Sequence, residues 1–191
     1  MRASLQLHPD CRCEAVSAIE VELTRGGART FDLLYRVAGD FRHIVWPLQG
    51  PAIRADELWR HTCFEAFLRT AQADEYYELN LSPSGKWAAY RFSSYRQGME
   101  PAYVAPPRIA GRWGLREGCS TLSATLGLKR AGWPAASDPL HFGLSAVIEE
   151  RNGRLSYWAL AHPPGKPDFH HPACFALELP AAKPAAPSPR T

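Results

Sequence analysis

The sequence predicts an all-β domain, either a sandwich or a barrel, from three observations. About ten short segments rich in β-branched and aromatic residues are separated by turn signals at short spacing. No segment carries the apolar spacing of a helix of any length. The 191 residues are 46% hydrophobic and 11% aromatic, which is enough for a real core. We therefore expect a single domain over residues 1–180, followed by a disordered Pro/Ala-rich tail over 181–191.

The predicted strands follow one another along the chain as hairpins. Segments 16–24 and 31–37 alternate apolar and polar residues on either side of a Gly-Gly turn. The clearest hairpin joins 141–150 to 154–161 at Asn152-Gly153, a dipeptide that accepts the positive φ values of a type I′ turn. Its strands are largely apolar on both faces, so we expect them to lie centrally. The remaining single strands are predicted at 4–8, 43–46, 62–71, 120–128 and 174–179.

Charge and cysteine usage narrow the classes of function. The net charge is +3, from 22 basic and 19 acidic residues, which is too balanced to indicate nucleic acid or a membrane surface as a partner. No apolar stretch is long enough to span a bilayer. The five cysteines are an odd, scattered set, and the first residues contain no apolar signal-peptide core. We expect a cytoplasmic protein with free thiols, and the sequence leaves its oligomeric state open.

Segment 58–92 contains the most informative pattern, a strand followed by a hairpin that turns at Pro83-Ser84-Gly85. Proline suits the second position of a type I turn and glycine the fourth. Folding the chain about Pro83 and Ser84 places Asn80 opposite Trp87. Side chains alternate between the two faces of a strand. One face of the predicted hairpin then carries Tyr76, Glu78, Asn80, Trp87 and Arg91, and the other carries Tyr77, Leu79, Leu81, Ala88, Tyr90 and Phe92.

The first of these faces mixes aromatic rings with hydrogen-bonding groups of both charges. Such a surface suits a small polar ligand, because a ring can stack on it while fixed donors and acceptors orient it. Aromatic residues also occupy sheet faces where no ligand binds. In that interpretation Glu78 and Arg91 form a diagonal pair at a sheet rim, beside two partly buried aromatic side chains. The residues alone leave both interpretations open.

A histidine-rich loop at 162–171 is the second candidate site. Imidazole and carboxylate side chains are common metal ligands, so a metal-dependent enzyme is one alternative. Adjacent His170 and His171 would point apart, so at most one of them joins His162 easily. The same histidines could instead hydrogen-bond the backbone of a loop made rigid by proline. The candidate metal ligands are His162, Asp168, His170 and His171.

Other catalytic patterns are weak in this chain. Cys63 lies in mid-strand, where a cysteine is usually a small buried hydrophobe. Glu65 and Glu78 lie on neighbouring segments, and paired carboxylates can hydrolyse glycosides, although two Glu on adjacent strands are also ordinary. The sequence has neither a phosphate-binding glycine-rich loop nor a nucleophile-elbow motif. The residues assign no catalytic group and favour a non-catalytic protein, with an enzyme as the alternative.

Three blocks of the chain carry a family resemblance. They read LWRHTCFEAF at 58–67, YELNLSPSGKWAAYR at 77–91 and LSYWALAHPPGKPDFHH at 155–171. Together they resemble the bacterial DOMON-like domain proteins, which are related to DOMON domains and to family 9 carbohydrate-binding modules. The resemblance covers about 5–180. It implies an immunoglobulin-like antiparallel β-sandwich of about ten strands that binds a ligand, either a sugar or haem.

The resemblance therefore implies a non-catalytic domain that binds a sugar or sugar-like metabolite without a cofactor. A pyranose would stack on Trp59 and Trp87. The haem-binding members of the family use Met with His or Lys as axial ligands, so haem held by Met99 and a His or Lys is the alternative. The residues expected at the ligand face are Trp59, Glu78, Asn80, Trp87 and Arg91, and His162, Lys166, Asp168 and His170 join them from a loop at the sandwich rim.

Overall fold

The computed structural model of the protein describes residues 1–27, 29–113, 117–128 and 138–181. Within these ranges the chain forms twelve antiparallel strands, three short 3-10 turns and no α-helix, which confirms the all-β prediction. No helix in the described ranges is long and apolar enough to cross a membrane. The strands are β1 (Arg2–Leu7), β2 (Val16–Gly27), β3 (Thr30–Asp40), β4 (Cys63–Thr70), β5 (Tyr76–Leu81), β6 (Trp87–Phe92), β7 (Glu100–Pro101), β8 (Arg108–Arg112), β9 (Glu117–Gly127), β10 (Leu140–Glu149), β11 (Leu155–Ala159) and β12 (Leu177–Leu179).

The strands form two facing sheets that share β1. The first sheet has the order β1-β2-β3-β9-β8, and the second has the order β7-β6-β5-β4-β10-β11-β1, with β12 also paired to β10. The first half of β1 pairs with β2, whereas Gln6 and Leu7 pair with β11. This change of partner along one strand joins the sheets at a corner, as in other sandwiches.

The main core lies between the two sheets. Phe31 of β3 meets Phe142 of β10 with the ring centroids 5.5 Å apart, and Tyr35 meets Phe64 of β4 at 4.9 Å. The hydroxyl of Tyr35 donates a 2.8 Å hydrogen bond to the backbone carbonyl of Glu65. Alternate residues of each strand point into this core, as the period of a β-strand requires.

The outer face of the second sheet is buried as well. Every residue of β5 is buried, and β10 is almost entirely so. The predicted hairpin at 141–150 and 154–161 therefore lies centrally, between β4 and β1, as its apolar faces indicate. A second hydrophobic cluster covers this outer face, consisting of Phe67, Tyr76, Ala88, Tyr90, Phe92, Val147 and Ala159 with Phe169 and Phe175 from the following loop.

The β5–β6 hairpin has a different loop from the predicted one. The loop contains three residues, not two, and is closed by a 3.0 Å hydrogen bond from the amide of Ser82 to the carbonyl of Lys86. Gly85 has φ +87°, the left-handed conformation that follows a type I turn in a three-residue hairpin loop. The pairs are therefore Leu81 with Trp87 and Glu78 with Tyr90.

This one-residue difference in register corrects the predicted ligand face. A shift by one residue moves every side chain of a strand to the opposite face. Trp87 and Arg91 therefore leave the face of Glu78, and Tyr90 and Phe92 join it. The prediction was right for β5 and wrong for every residue of β6.

Two further predictions concern the chain outside this hairpin. The strand expected at 43–46 is absent, because Phe41–His43 form a 3-10 turn and only Ile44 makes an isolated bridge, to Glu150. The short strands β7 and β8 were not predicted. From residue 182 onward, the expected disordered tail lies outside the described residues.

Candidate ligand-binding pocket

A pocket of about 360 Å³ opens on the outer face of the second sheet. Its volume is within the range of small-molecule sites in proteins. Strands β4, β5, β6, β10 and β11 each contribute to it, and three loops enclose it. The lining residues are Trp59, Glu65, Glu78, Phe92, Arg96, Met99, Val147, Tyr157, Pro167, Phe169 and His170.

Trp59 is held at the pocket by a single 3-10 turn, Leu58–Arg60. Glu57, just before the turn, has φ +59°, a left-handed conformation that costs about 1 kcal/mol or more for a residue with a side chain. The indole ring meets the ring of Tyr90 edge to face at 6.1 Å. Backbone strain at a position that aims an aromatic side chain into a pocket is typical of functional sites.

Other aromatic rings complete the walls and support one another. Phe92 stacks on Tyr76 with the ring planes 3° apart and the centroids 4.7 Å apart. Tyr157 of β11 meets Phe169 of the covering loop at 6.0 Å. These contacts fix the rings before any ligand arrives, which lowers the entropy cost of binding.

Two carboxyl groups lie in the floor of the pocket. Glu65 is 3% exposed and Glu78 is 5% exposed. Glu78 pairs with Phe67 and Asn80 pairs with Glu65 between β4 and β5, so the two carboxyls are diagonal neighbours on one face. The amide of Asn80 donates a 2.7 Å hydrogen bond to Oε1 of Glu78. Oε1 of Glu65 makes no hydrogen bond of regular geometry among the described residues, although the Ser145 hydroxyl opposite it on β10 interacts with this carboxyl and acts to lower its pKa.

The environment of these carboxyls favours their protonated forms. Burial raises the pKa of Glu78 to about 7, against the hydrogen bond from Asn80 and the positive charge of Arg96, which lower it. Burial, followed by the neighbouring Glu78 carboxylate, raises the pKa of Glu65 well above its usual value. The pair can therefore present both a donor and acceptors to a ligand at neutral pH.

His170 lies against the same carboxyls as a neutral imidazole. The backbone amide of Arg96 donates to the Tyr76 hydroxyl at 3.1 Å, so that hydroxyl donates its own proton to Nδ1 of His170 at 2.8 Å. We therefore assign the ring proton to Nε2, which lies 3.7 Å from Oε2 of Glu78. Burial lowers the pKa of His170 to about 4, with the charge of Arg96 acting in the same direction.

A second pocket of about 420 Å³ adjoins the first and shares Arg96 and Pro167 with it. Arg96 has φ +56° and donates to Oδ1 of Asp168 at 2.7 Å. The hydroxyl of Tyr95 donates to the other oxygen of Asp168. This ion pair fixes the rim between the two pockets. The second pocket is lined by Tyr95, Arg96, Pro163, Pro164, Lys166, Pro167, Asp168 and His171.

Six of the nine predicted ligand-binding residues lie in or beside the two pockets. Trp59, Glu78 and His170 line the first pocket. Asn80 lies beneath it and holds Glu78. Lys166 and Asp168 line the second pocket.

The other three predicted residues lie elsewhere. Trp87 is 6% exposed and belongs to the main core between the sheets, on the face opposite Glu78. Arg91 forms ion pairs with Glu75 and, at 2.7 Å, with Glu100. The register of β6 explains both corrections.

His162 is the third residue outside the pockets. Its Nε2 lies 2.8 Å from the carbonyl oxygen of Gln6, and its ring meets His8 edge to face at 4.8 Å. The histidine thus joins the loop to β1, as the backbone-bonding interpretation of the loop expects.

The structure does not bring the alternative metal ligands together. Nδ1 of His171 accepts a hydrogen bond from the amide of Ala173 at 3.2 Å, while Asp168 binds Arg96 and His162 binds the backbone. Across the described ranges, no group of three or more His, Cys, Asp or Glu side chains is placed to hold a metal ion.

Met99 and His170 line the same pocket, so the residues named for haem do approach one another. However, Nδ1 of His170 is bonded to the Tyr76 hydroxyl, and its Nε2 faces Glu78. An axial haem ligand needs an imidazole nitrogen that is open to the iron. His170 does not present one, so the pair of Met99 and His170 does not fit haem, and haem held by Met99 with another His or Lys stays an untested alternative.

Sequence reasoning did not assign Glu65, Phe92, Arg96, Tyr157 and Phe169 to the site. A signal existed for Glu65, because it is the single charged residue in the otherwise apolar run 63–68 of β4. Phe92 would have followed from the correct hairpin loop. The remaining three depend on how distant segments pack, and no local pattern marks them.

This chain is similar to known proteins in its fold. No protein-family model and no curated protein sequence matches the chain. A solved structure from Bacteroides uniformis, provisionally described as a carbohydrate-binding protein, matches with a TM-score of 0.66 and 13% identity, over 91% of this chain and 83% of that one.

Two structures of a family 9 carbohydrate-binding module from Caldicellulosiruptor kristjanssonii, with glucose and with cellotriose, match with a TM-score of 0.47 and 12% identity. These matches cover 82% and 84% of this chain, and 72% and 74% of the other chains. The chain thus shares the all-β antiparallel fold of the Bacteroides uniformis protein.

Proposed function

We propose that the protein is a non-catalytic carbohydrate-binding domain and that its ligand occupies the pocket on the outer face of the second sheet. One observation carries this proposal. Aromatic walls surround two buried carboxyls, one of which has an oxygen that makes no hydrogen bond of regular geometry among the described residues. Membership of the DOMON-like group and a cytoplasmic location belong to the same proposal.

The chemistry of the pocket matches that of a pyranose. A sugar ring has an apolar face that stacks on an aromatic side chain, and Trp59 is the largest ring available. Glu65, Glu78 and His170 provide acceptors and a donor for hydroxyl groups. An unpaired buried oxygen costs about 1–3 kcal/mol, and a hydroxyl donated to Glu65 would remove that cost.

The fold agrees with this assignment. The Bacteroides uniformis protein with the same fold carries a provisional description as carbohydrate-binding. Each aromatic contact contributes about 1 kcal/mol, so we expect modest affinity for a monosaccharide.

Isothermal titration calorimetry with a panel of neutral and charged monosaccharides tests the proposal. We expect saturable binding of at least one of them and a loss of about tenfold or more in Trp59→Ala. Tyr103→Ala is the control, because Tyr103 is 82% exposed and lies outside the pocket. Absence of binding across the panel, or unchanged affinity in Trp59→Ala, would contradict the assignment.

The carboxyl pair favours a second candidate, hydrolysis of a glycosidic bond. Glycosidases use one protonated and one ionised carboxyl, and mutual repulsion separates the titrations of such pairs. Glu65 and Glu78 share one floor, whereas a glycosidase places its carboxyls on either side of the scissile bond. Release of nitrophenol from nitrophenyl glycosides by the native protein, and its loss in Glu78→Gln, would favour catalysis over binding.

A further inference from the structure

Building on the proposed binding function, we infer that the ligand carries a protonated amine, and that the pocket seats this ammonium group on Glu65 and Glu78. The ligand class is therefore an amino sugar. Three features of the pocket support an ammonium ligand: its charge, the acceptor Oε1 of Glu65 and its aromatic walls.

In the described part of the chain, neither floor carboxyl forms an ion pair with a Lys or Arg side chain; the nearest pair is between Glu78 and His170 at 3.7 Å. Oε1 of Glu78 accepts a hydrogen bond only from the neutral amide of Asn80. Burying a carboxylate without a counter-charge is costly, so such a pair favours a ligand that supplies the charge.

The groups that face the pair do not neutralise it. Cys63 and Asn80 lie on the same two strands, and Ser145 lies opposite Glu65 on β10. Tyr157 reaches the pocket from β11. All four are uncharged side chains at neutral pH.

Among the described residues that line the first pocket, the covering loops contribute one cation, Arg96, and one imidazole, His170. The guanidinium of Arg96 is held by Asp168 at 2.7 Å, so this ion pair adds no net charge. His170 is neutral, because burial lowers its pKa to about 4. Burial favours the protonated forms of Glu65 and Glu78, and a bound cation favours their ionised forms. The lining residues of the pocket therefore carry net negative charge when a cation is bound and both carboxyls are ionised.

The walls and the unpaired oxygen suit an ammonium group. Trp59, Phe92, Tyr157 and Phe169 surround the floor, and aromatic faces attract cations most strongly where water is excluded. An ammonium has three N–H donors and no acceptor. It can donate to Glu65 Oε1, which makes no hydrogen bond of regular geometry among the described residues, while a hydroxyl can donate only once.

Calorimetric titration of the full chain at pH 7 in phosphate buffer tests the inference. The probes are glucosamine, glucose and N-acetylglucosamine, which differ in the charge at one position. We expect glucosamine to bind about tenfold or more tightly than both neutral sugars. Glucose binding that equals or exceeds glucosamine binding would overturn the inference and leave the proposed function standing.

Ethanolamine, a primary amine, separates the amine from the sugar. If it binds as tightly as glucosamine, the pocket recognises the ammonium alone; the charge assignment then holds and the carbohydrate proposal fails. If no sugar and no amine binds, both are overturned.

The variants Glu65→Gln and Glu78→Gln keep the side-chain shape, and each removes one carboxyl that could ionise against a bound ammonium group. We expect each to reduce glucosamine affinity by about tenfold and glucose affinity by less than about threefold. Glu178→Gln, at an exposed position on β12, is the matched control and should change neither. The ratio of glucosamine affinity to glucose affinity remains informative even if a variant is less stable. If this ratio is unchanged in both pocket variants, the inference is contradicted.

Discussion

Individual side chains in this molecule have roles that depend on which face of the second sheet they occupy. Trp59 and Trp87 belong to the same sequence region, yet one lines the pocket and the other lies in the main core. Glu78 is kept from water beside Glu65, whereas Glu75 lies just before β5 and pairs with Arg91. Substitutions at these positions should therefore separate a loss of ligand affinity from a loss of stability.

The two tryptophans should respond differently to truncation. Trp87→Ala removes a 6% exposed ring from the core and should lower the free energy of unfolding by about 3–5 kcal/mol. Trp59→Ala should cost no more than about 1–2 kcal/mol while losing ligand affinity, since Trp59 is half-buried. Urea unfolding measured by circular dichroism checks both. Equal losses of stability would contradict the placement of Trp87.

Glu78 should make stability depend on pH in a defined direction. A carboxyl whose folded-state pKa is raised stabilises the folded state below its unfolded pKa, and this contribution is lost as pH rises through the folded pKa. For Glu78 the range is from about 4.5 to about 7, and the loss is up to about 3 kcal/mol. Glu78→Gln does not titrate, so its stability relative to the native protein should rise across this range.

Urea unfolding of both proteins at several pH values between 4.5 and 7.5 measures that difference. His170, whose lowered pKa gives a slope of opposite sign, is present in both proteins and largely cancels in the difference. Glu65 adds to the difference with the same sign as Glu78, because the charge of Glu78 raises the pKa of Glu65 in the native protein alone. A difference that stays constant with pH would show that Glu78 is not the titrating group.

At the scale of elements, the β5–β6 hairpin decides the composition of the pocket. Its three-residue loop depends on the left-handed conformation of Gly85, and its register follows from that loop. The loop that contains Gly50 packs against this turn, since the amide of Gly50 donates to the carbonyl of Ser84 at 2.9 Å. The turn is thus fixed both by its own sequence and by a neighbouring segment.

Gly85→Ala should destabilise the protein more than Gly153→Ala. Both glycines are left-handed, with φ +87° and +84°, so each alanine costs about 1 kcal/mol in backbone strain. A Cβ at Gly85 would also lie 3.2 Å from the carbonyl oxygen of Gly50, whereas at Gly153 it meets no atom of the described residues within 4 Å. Urea unfolding measures the free energy of unfolding of the two variants. Equal losses would contradict a constraint on Gly85 from the loop that contains Gly50.

For the whole molecule, the first sheet is connected to the strand that carries Glu65 by the shared strand β1 and by a buried hydrogen bond from Tyr35. Tyr35 lies in the first sheet, is fully buried, and donates to the carbonyl of Glu65 in the second. β1 pairs with both sheets. The backbone that carries Glu65 is therefore held from the opposite layer.

Tyr35→Phe should lower the free energy of unfolding by about 1 kcal/mol, because a buried hydrogen bond is lost without creating a large cavity. Ligand affinity should fall only slightly. Tyr103→Phe, at an 82% exposed position, should stay within about 0.5 kcal/mol of the native protein. Thermal and urea unfolding measure both, and an unchanged stability in Tyr35→Phe would contradict a role for this hydrogen bond in joining the sheets.

The sequence by itself determined the fold class and part of the site. Short alternating segments and turn residues specify strands locally, so the all-β architecture and the central position of β10 and β11 could be predicted. Of the predicted ligand-binding residues, Trp59, Glu78 and His170 line the pocket and Asn80 supports Glu78, and their role in binding stays a prediction.

Tertiary structure alone decided the remainder. The register of β6 depends on a single loop residue, and one residue of error exchanged Trp87 and Arg91 for Tyr90 and Phe92. Tyr157, Phe169 and Arg96 enter the pocket because distant segments fold over one face of the second sheet. The paired burial of Glu65 and Glu78 likewise requires both the strand pairing and the covering loops, since neither carboxyl is removed from water by its own strand.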